Sequence, residues 1–443
     1  MRHFLNDKIL INNKTGYKLY KHVKNLPIID YHCHLDEKMI ANNSGFKTIT
    51  ELWLSTDHYK WRAMRSCGVD EKYITGDAPD YEKFLAFASI MPNLIGNSLY
   101  YWAHLELKMI FGIDMPLNKE NAKIIYDKCN SLLETITTQT LLEKFNVDVV
   151  CTTDDPTSSL ENHGTYNKTL VIPTFRPDAL FTLDEKYIKD LASTSDTKIN
   201  DLSDLKTALS KRLDFFVSKG CKITDHGMDF LPGKDIGEEK ASEIFINRKK
   251  ASDDDKYGFF SHMMRFLASE YKKRNMIMQI HFATFRNINS NEFNNIGKDS
   301  GFDVIRHETN TDNLAYFLND LNSKNTLPKT ILYSLNSNAI KEMAVIAGSF
   351  RNVKIGPAWW FNDSPIGNKE HMEVIGEYSS LGTFLGMLTD SRSFSSYVRF
   401  DFFRRILASL IGEYVEKGEY DYNCAFTLMK NICYYNIKEF LEI

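Results

Sequence analysis

The strongest constraint on the fold is the alternation of short apolar segments with longer helical stretches. The candidate strands are residues 27–32, 147–153, 170–175, 221–225, 276–282, 330–335, 353–355 and 384–389. The candidate helices are residues 202–219, 258–274, 310–325, 337–349, 368–382 and 398–417. Strands that alternate with helices form parallel β–α units, and eight such units predict an α/β fold of the closed (β/α)₈ (TIM) barrel type.

The interval between the first two candidate strands is long enough to hold additional structure. Residues 36–145 show helical spacing of apolar residues, as at Ile125, Cys129 and Leu133, with no strong strand pattern. We therefore predict a large helical insertion after the first strand. This divides the chain into an N-terminal segment with the first strand (1–35), the insertion (36–145), and the remaining barrel with the C-terminal helices (146–443).

Composition excludes several classes of protein. The 54 basic and 58 acidic residues give a net charge of −4, so the chain lacks the basic excess of a nucleic-acid-binding or membrane-surface protein. No apolar run of transmembrane length occurs, and residues 1–25 do not resemble a secretory signal. The seven cysteines form no CxxC pair, which predicts free thiols in the reducing cytoplasm.

Two histidines at the end of the first candidate strand indicate a metal site. His32 and His34 are two residues apart, so both side chains point to the same face of an extended chain. Asp390 ends the eighth candidate strand, which neighbours the first in a closed barrel. Together these residues offer the nitrogen and oxygen ligands that suit Zn²⁺ or Mn²⁺. The alternatives are a hydrogen-bonded pair of histidines and a helix-capping aspartate.

Arginines follow three of the candidate strands. Arg176, Arg286 and Arg392 lie just beyond residues 170–175, 276–282 and 384–389. Because guanidinium groups bind carboxylates through paired hydrogen bonds, we expect a small acidic ligand. Asp225 and His281 also end candidate strands and are candidate catalytic residues, although His281 alone is equally typical of a hydrogen-bonded structural histidine.

Two aromatic segments allow both a structural and a functional interpretation. The segment DHYKWRAMR at residues 57–65 is either an exposed amphipathic helix or part of an insertion that folds over the barrel mouth and contributes Tyr59. Trp359 and Trp360 follow the seventh candidate strand. They belong either to the core or to a flat surface that packs against a sugar ring.

Several motifs resemble those of the uronate isomerase family within the amidohydrolase superfamily. They are IIDYHCH (28–34), DHYKWRAMR (57–65), YITG (73–76), CTTDDP (151–156), FRPD (175–178), AWWFND (358–363) and GMLTDSR (386–392). The resemblance implies a distorted barrel of the amidohydrolase type. It also implies an intracellular isomerase of hexuronate catabolism, which interconverts D-glucuronate with D-fructuronate and D-galacturonate with D-tagaturonate.

The same resemblance implies roles for the candidate site residues. His32, His34 and Asp390 would surround a divalent metal, Zn²⁺. The substrate would be lined by Tyr59, Arg176, Asp225, His281, Arg286, Arg392 and Trp359 or Trp360.

Isomerisation through an enediol needs a base near C2, for which Asp390 and Tyr59 are both candidates, and positive charge on the enediolate, for which Arg392 is suited. Asp225 would open the sugar ring together with His32 or His281.

Two other functions remain open from the residues alone. A metal-dependent hydrolase could use the same histidine pair, with metal-bound hydroxide as its nucleophile. A sugar-acid-binding protein could keep the fold without turnover. The aromatic residues of 420–443, such as Tyr422 and Phe426, are candidates for contacts between copies in a homo-oligomer.

Overall fold

The computed structural model describes residues 4–307 and 309–443, and its architecture is α/β with mostly parallel strands. The strands are β1 (Ile28–Asp30), β2 (Val147–Cys151), β3 (Gly164–Tyr166), β4 (Thr169–Ile172), β5 (Thr174–Phe175), β6 (Ile223–Thr224), β7 (Ile277–Phe282), β8 (Thr284–Phe285), β9 (Val304–Ile305), β10 (Thr330–Ser334) and β11 (Val353–Ile355). Seven of the predicted strands are confirmed by β1, β2, β4 with β5, β6, β7, β10 and β11, most of them shorter than expected.

Most of the strands form two sheets, of four and five strands, in which every pair except β3 with β4 is parallel. The first sheet has the order β1-β2-β4-β3 and the second the order β11-β10-β7-β6-β5. Only Pro173 separates β4 from β5, and a parallel bridge between Asp154 and Phe175 links the sheets further. In the described residues β3 pairs with β4 and β8 pairs with β9 in antiparallel orientation, and an isolated antiparallel bridge joins Gly45 and Thr137.

The expected eighth strand is wrong as a regular strand. Residues 384–389 are described but are not assigned to a strand, since Gly386 has a φ of +77° and the Thr389 amide donates to the Asp30 side chain at 2.8 Å. The segment still pairs with the chain beyond β1. The Asp390 amide donates to the His32 carbonyl at 3.0 Å, and the His34 amide donates to the Ser391 carbonyl at 2.9 Å.

Helices fill the interval between β1 and β2 and separate the later strands. The α-helices are α1 (Lys14–Val23), α2 (Glu37–Ala41), α3 (Ile49–Leu54), α4 (His58–Ser66), α5 (Asp80–Ile90), α6 (Ser98–Phe111), α7 (Ala122–Leu133), α8 (Thr138–Lys144), α9 (Glu185–Thr194), α10 (Leu202–Ser218), α11 (Glu238–Ile246), α12 (Asp253–Lys273), α13 (Ser290–Ile296), α14 (Thr311–Ser323), α15 (Ile340–Gly348), α16 (Pro365–Tyr378), α17 (Val398–Glu416), α18 (Tyr422–Lys430) and α19 (Asn436–Leu441). The predicted helices of the second half correspond to α10, α12 and α14–α17.

Side chains from both sheets meet in one apolar cluster. It contains Ile29 of β1, Val149 of β2, Ile277 of β7 and Ile331 of β10, together with Leu385 of the irregular segment. The cluster also contains Cys151 of β2 and Tyr333 of β10, each two residues from its partner in the same strand, so each pair comes from one face of its strand. Both sheets therefore pack one face against a shared apolar interior. Among residues 4–307 and 309–443, no helix has the length and hydropathy needed to span a bilayer.

A buried polar triad fastens α1 to α17 and gives a stability prediction. Asp401 accepts from the Tyr20 hydroxyl at 2.5 Å and from Arg405 Nε at 2.6 Å, and Arg405 also donates to the Tyr20 oxygen at 2.6 Å. Asp401→Asn leaves a buried guanidinium without its counter-charge. We expect a loss of about 3 kcal/mol in the free energy of unfolding, measured by urea titration.

The control for this prediction is Asp127→Asn. Its ion pair with Lys123 spans 2.6 Å and is exposed to solvent, so it contributes little to stability. Equal losses in the two variants would contradict the prediction.

Candidate active site

A cleft of about 890 Å³ opens at the carboxyl ends of the strands. His281 is the penultimate residue of β7, while Arg176 and Asp225 directly follow β5 and β6. His32 and His34 lie two and four residues beyond β1. Parallel strands deliver their C-terminal residues to one edge, so side chains far apart in sequence meet here. His32, His34, Arg176 and His281 line the cleft, whereas Asp225 is fully buried behind them.

The structure brings the three predicted metal ligands together. Asp390 Oδ1 is 3.1 Å from His32 Nε2 and 3.2 Å from His34 Nε2. The potential ligand atoms of the three residues lie within 4.8 Å of one another. Two imidazole nitrogens and a carboxylate oxygen are a donor set that suits a divalent cation. The residues therefore fit a metal site.

The charge states of Asp390 and His34 suit a cation, whereas His32 holds a proton more tightly, because Asp225 and Asp390 raise its pKa against the effect of burial. Burial alone would raise the pKa of Asp390, but its hydrogen bonds with His32 and His34 outweigh burial and hold that pKa well below the usual range. Burial lowers the pKa of His34 to about 4, so its imidazole is neutral near pH 7. Ionised carboxylate and neutral imidazole are the forms that bind metal ions.

A second polar cluster lies beside the first and is centred on Asp225, which is fully buried. Its Oδ1 is 2.8 Å from His281 Nδ1, and its Oδ2 is 2.9 Å from an Arg176 terminal nitrogen and 3.9 Å from His32 Nδ1. Burial would raise the pKa of Asp225, but Arg176, His32 and His281 hold it well below its usual value. His281 stacks on Tyr333 at 4.0 Å, which fixes the imidazole plane.

Helix α4 contributes side chains to the cleft, so it is more than an exposed amphipathic helix. Asp57 caps this helix by accepting from the Tyr59 and Lys60 amides. The Tyr59 hydroxyl is 3.4 Å from Asp390 Oδ2, to which Trp359 Nε1 donates at 2.7 Å. Burial and the charge of Asp390 raise the pKa of Tyr59 well above its usual value, so the phenol keeps its proton.

Trp359 and Trp360 both line the cleft, and each contacts a polar residue of the site. Trp360 stacks on Tyr59 with ring planes 3° apart and centroids 5.2 Å apart. Trp359 holds Asp390 and lies edge-on to His281 at 4.9 Å. Both side chains are half-buried, so each fixes a polar group of the cleft and still presents ring surface to it.

The predicted arginines reach the cleft, but each is also held by protein carboxylates. Arg286 is 3.0 Å from Asp303 and 3.4 Å from Asp229. A terminal nitrogen of Arg392 lies 3.1 Å from Asp299. These contacts orient the guanidinium groups before any ligand arrives.

Sequence reasoning missed several residues of the site. Asp178 accepts from Arg176 Nε at 2.8 Å, while Asp299 and Asp303 hold the other arginines. Arg399 donates to the Thr389 carbonyl at 2.7 Å and lies 4.0 Å from the Trp102 ring centroid. Arg399 is only 3% exposed. The sequence signal for it was a charged residue among the aromatic and apolar residues at the start of α17, a signal that Asp401 shares.

Comparisons with known proteins agree with this geometry. The sequence profile of the family described as "Glucuronate isomerase" matches residues 1–441. A uronate isomerase from Caldicellulosiruptor bescii is 43% identical, with 99% of each chain covered. The crystal structure of a uronate isomerase from Thermotoga maritima has a TM-score of 0.96 at 33% identity and covers 99% of this chain and 100% of that one. A glucuronate isomerase from Caulobacter crescentus has a TM-score of 0.93 at 26% identity, covering 99% and 97%. The chain therefore belongs to the glucuronate isomerase family of enzymes.

Proposed function

We propose that this enzyme interconverts D-glucuronate with D-fructuronate and D-galacturonate with D-tagaturonate by proton transfer between C2 and C1. One observation carries this proposal. A carboxylate held by two histidines, Asp390, lies beside a protonated tyrosine in a cleft whose lining includes Arg176, Arg286 and Arg392. This arrangement combines a proton acceptor, a proton donor and groups that bind a sugar acid.

His32, His34 and Asp390 would hold a divalent cation, which we propose to be Zn²⁺. When bound, the cation supplies positive charge that polarises a substrate oxygen. The two oxygens of Asp390 face different groups. Oδ1 faces the histidines, and Oδ2 faces Tyr59 and Trp359. This division separates Oδ1, which would bind the cation, from Oδ2, which lies next to the Tyr59 hydroxyl.

Of the two candidate bases, the contacts favour Asp390. The Tyr59 hydroxyl points its proton at Asp390 Oδ2, so Tyr59 is the donor of the pair and Asp390 the acceptor. Asp390 would remove the proton from C2 and return it to C1, while Tyr59 would exchange a proton with a substrate oxygen. Arg392 would stabilise the negative charge on the enediolate.

The second cluster suits the opening of the sugar ring. Asp225 and His281 share a 2.8 Å hydrogen bond, so a proton can pass between a sugar hydroxyl and the ring oxygen through this pair. Arg176 and Arg286 would hold the C6 carboxylate, and the Trp359 and Trp360 rings would pack against the sugar.

We further propose that the two sheets and residues 384–390 close into a distorted (β/α)₈ barrel. The interior cluster shared by both sheets supports closure. Two backbone hydrogen bonds also support it, because they join the residues after β1 to the end of the 384–390 segment: Asp390 donates to the His32 carbonyl, and His34 donates to the Ser391 carbonyl. Residues 36–145 would be a helical insertion into this barrel, with 1–35 and 146–443 contributing the barrel itself. The segment from α2 to α8 supports this division, because it is helical throughout apart from short turns and one bridge.

Cytoplasmic location and self-association complete the proposal. Each of the seven cysteines is a free thiol, and Cys33, Cys129, Cys151, Cys221 and Cys433 are buried. Buried free thiols are typical of proteins in reducing compartments. Tyr422 and Tyr435 near the C-terminus are exposed and are candidates for a contact between copies.

An assay of purified protein tests the activity directly. We expect ketose formation from both glucuronate and galacturonate, with a loss of activity after chelator treatment and recovery on adding Zn²⁺, because the cluster of His32, His34 and Asp390 fits a cation. Lactone hydrolysis is the parallel assay. Hydrolysis without ketose formation, or uronate binding without turnover, would overturn the proposed function.

Solvent deuterium distinguishes the proton-transfer route from a hydride shift. In D₂O we expect deuterium to enter the ketose product at C1, because a proton held on the Asp390 carboxylate beside the Tyr59 hydroxyl can exchange with solvent before its return. Proton NMR of the product measures the label. Complete transfer of the original C2 hydrogen without exchange would contradict the assignment of Asp390 as the base.

A further inference from the structure

The loop at residues 298–303 forms one wall of the cleft, and two arginines of α4 hold it there. We propose that Arg62 and Arg65 are positioning residues for uronate binding. They fix this loop so that its carboxylates hold Arg286 and Arg392 in the orientation that receives the substrate. The inference rests on the proposed function, since it assigns a role to residues that lie outside the reacting centre.

Arg62 makes the closest attachment. Its terminal nitrogen donates to the Gly301 carbonyl at 3.0 Å and to the Asp303 carbonyl at 2.8 Å. The guanidinium also lies 4.7 Å from the Phe361 ring centroid, so its plane is held on the other side. One guanidinium nitrogen thus bridges two loop carbonyls, while the planar group stacks on Phe361, a contact that a lysine ammonium does not reproduce.

Arg65 forms a hydrogen bond with Ser300, the residue before Gly301 in the loop. One terminal nitrogen donates to the Ser300 carbonyl, while Nε and the other terminal nitrogen donate to the two Glu71 oxygens at 2.7 Å each. Its guanidinium lies 4.5 Å from the Phe302 ring centroid. This bidentate pair orients the arginine, so both helix residues present fixed donors to the loop.

Gly301 allows the loop to approach α4 this closely. Its φ is +88°, and a Cβ at this position would lie 2.8 Å from the His58 carbonyl oxygen and 3.3 Å from Arg62 Cβ. A side chain here would be strained by the backbone angle and would also push the loop away from the helix. The attachment therefore depends on both the arginines and this glycine.

Two carboxylates of the loop, Asp303 and Asp299, contact arginines of the cleft, so the position of the loop sets the position of these arginines. Asp303 accepts from Arg286 at 3.0 Å and from the Asn287 amide at 2.9 Å, and Asp299 lies 3.1 Å from Arg392. The side chain of Asp303 is only 10% exposed, so its position depends on the fixed backbone around it. Arg62 and Arg65 are absent from the cleft lining of the described chain, so they act on a ligand only through the loop.

The test compares steady-state kinetics of variants with the wild type. For Arg62→Ala we expect KM for glucuronate to rise about tenfold with kcat within about twofold. Arg62 holds the backbone of Asp303, which positions Arg286 for the substrate carboxylate, whereas Arg65 still holds Ser300 next to Asp299, the partner of Arg392. Gly301→Ala should also raise KM, with both arginines intact. Arg62→Lys should recover part of the affinity, since an ammonium can reach one carbonyl.

The matched control is Arg248→Ala, which should leave both constants unchanged. Arg248 is also a half-buried arginine that donates to a backbone carbonyl, that of Phe245, and it forms an ion pair of 2.7 Å with Glu185. Neither Arg248 nor Glu185 lines the cleft. Limited trypsin digestion gives a second readout. Cleavage after Lys298 should be faster in Arg62→Ala and Gly301→Ala than in the wild type and the control.

The outcomes separate this inference from the proposed function. If the wild type isomerises uronates but neither variant changes KM, or if kcat falls with KM unchanged, the positioning role is overturned. If the wild type does not isomerise uronates, the proposed function fails. In that case the trypsin readout still decides whether Arg62 holds the loop, and unchanged cleavage would overturn the attachment itself.

Discussion

Replacing Asp390 with asparagine is expected to lower kcat/KM for glucuronate by about 10³-fold. Asparagine keeps the shape of the side chain but removes its negative charge. The position faces His32 and His34 on one side and Tyr59 and Trp359 on the other, so the lost charge affects both the cation site and the proton acceptor. Ketose formation by the purified variant measures the effect, and circular dichroism checks that it is folded.

The control is Asp320→Asn on α14. Asp320 is a half-buried carboxylate in ion pairs of 2.8 Å with Arg265 and with Lys324, outside the cleft lining. We expect its kcat/KM to stay within about twofold of the wild type, since surface pairs contribute little. Wild-type turnover in Asp390→Asn would remove Asp390 from the catalytic set.

Metal content distinguishes the two reasons for the expected loss. If Asp390→Asn retains one equivalent of cation but does not turn over, the missing proton acceptor accounts for the defect. If the cation is lost as well, His34→Asn should show a similar loss of both, because His34 contacts the same Asp390 oxygen at 3.2 Å.

The strand-end rule explains why much of the site is predictable from the sequence. His32, Asp225, His281 and Arg176 each lie within or directly beyond a short apolar strand, so their place at the carboxyl edge follows from local pattern and parallel topology. The same pattern was misleading at residues 384–389. That segment is as apolar as β10, but a buried side chain from β1, Asp30, takes the Thr389 amide that a regular ladder would use. Local sequence carries no sign of that competition.

Local sequence patterns could not predict the site residues whose positions depend on tertiary contacts. Arg62 and Asp303 are 241 positions apart in the chain, and the loop at residues 298–303 that contains Asp303 has no periodic pattern. Tyr59 was predictable only as one of two interpretations, because an amphipathic helix has the same sequence whether its polar face meets solvent or a cleft. The packing of α4 over the strand ends decides between them.

Asp225→Asn is expected to lower kcat on glucuronate by about 10²-fold to 10³-fold. The substitution keeps an oxygen that can accept from His281 Nδ1 but cannot take up a proton. It also removes the counter-charge 2.9 Å from Arg176. Two explanations for a defect must therefore be separated, namely the loss of proton transfer in ring opening and the loss of Arg176 position.

Asp178→Asn is the matched control for the second explanation. Asp178 contacts the same guanidinium, at Nε and 2.8 Å, and makes no contact with His281. If Arg176 binds the C6 carboxylate, this control should raise KM while kcat changes by less than about threefold. Asp225→Asn should differ from it by a fall in kcat.

A substrate that cannot close a ring isolates the first explanation. A uronate analogue without hydroxyls at C4 and C5 stays open-chain, so its conversion needs no proton transfer between a C1 hydroxyl and a ring oxygen. If Asp225 acts in ring opening, the defect of Asp225→Asn relative to wild type should largely disappear on this analogue, whereas the defect of Asp390→Asn should persist. Equal defects of Asp225→Asn on both substrates would mean that Asp225 acts by holding Arg176 and His281 in place, and that the ring opens in solution or through other groups.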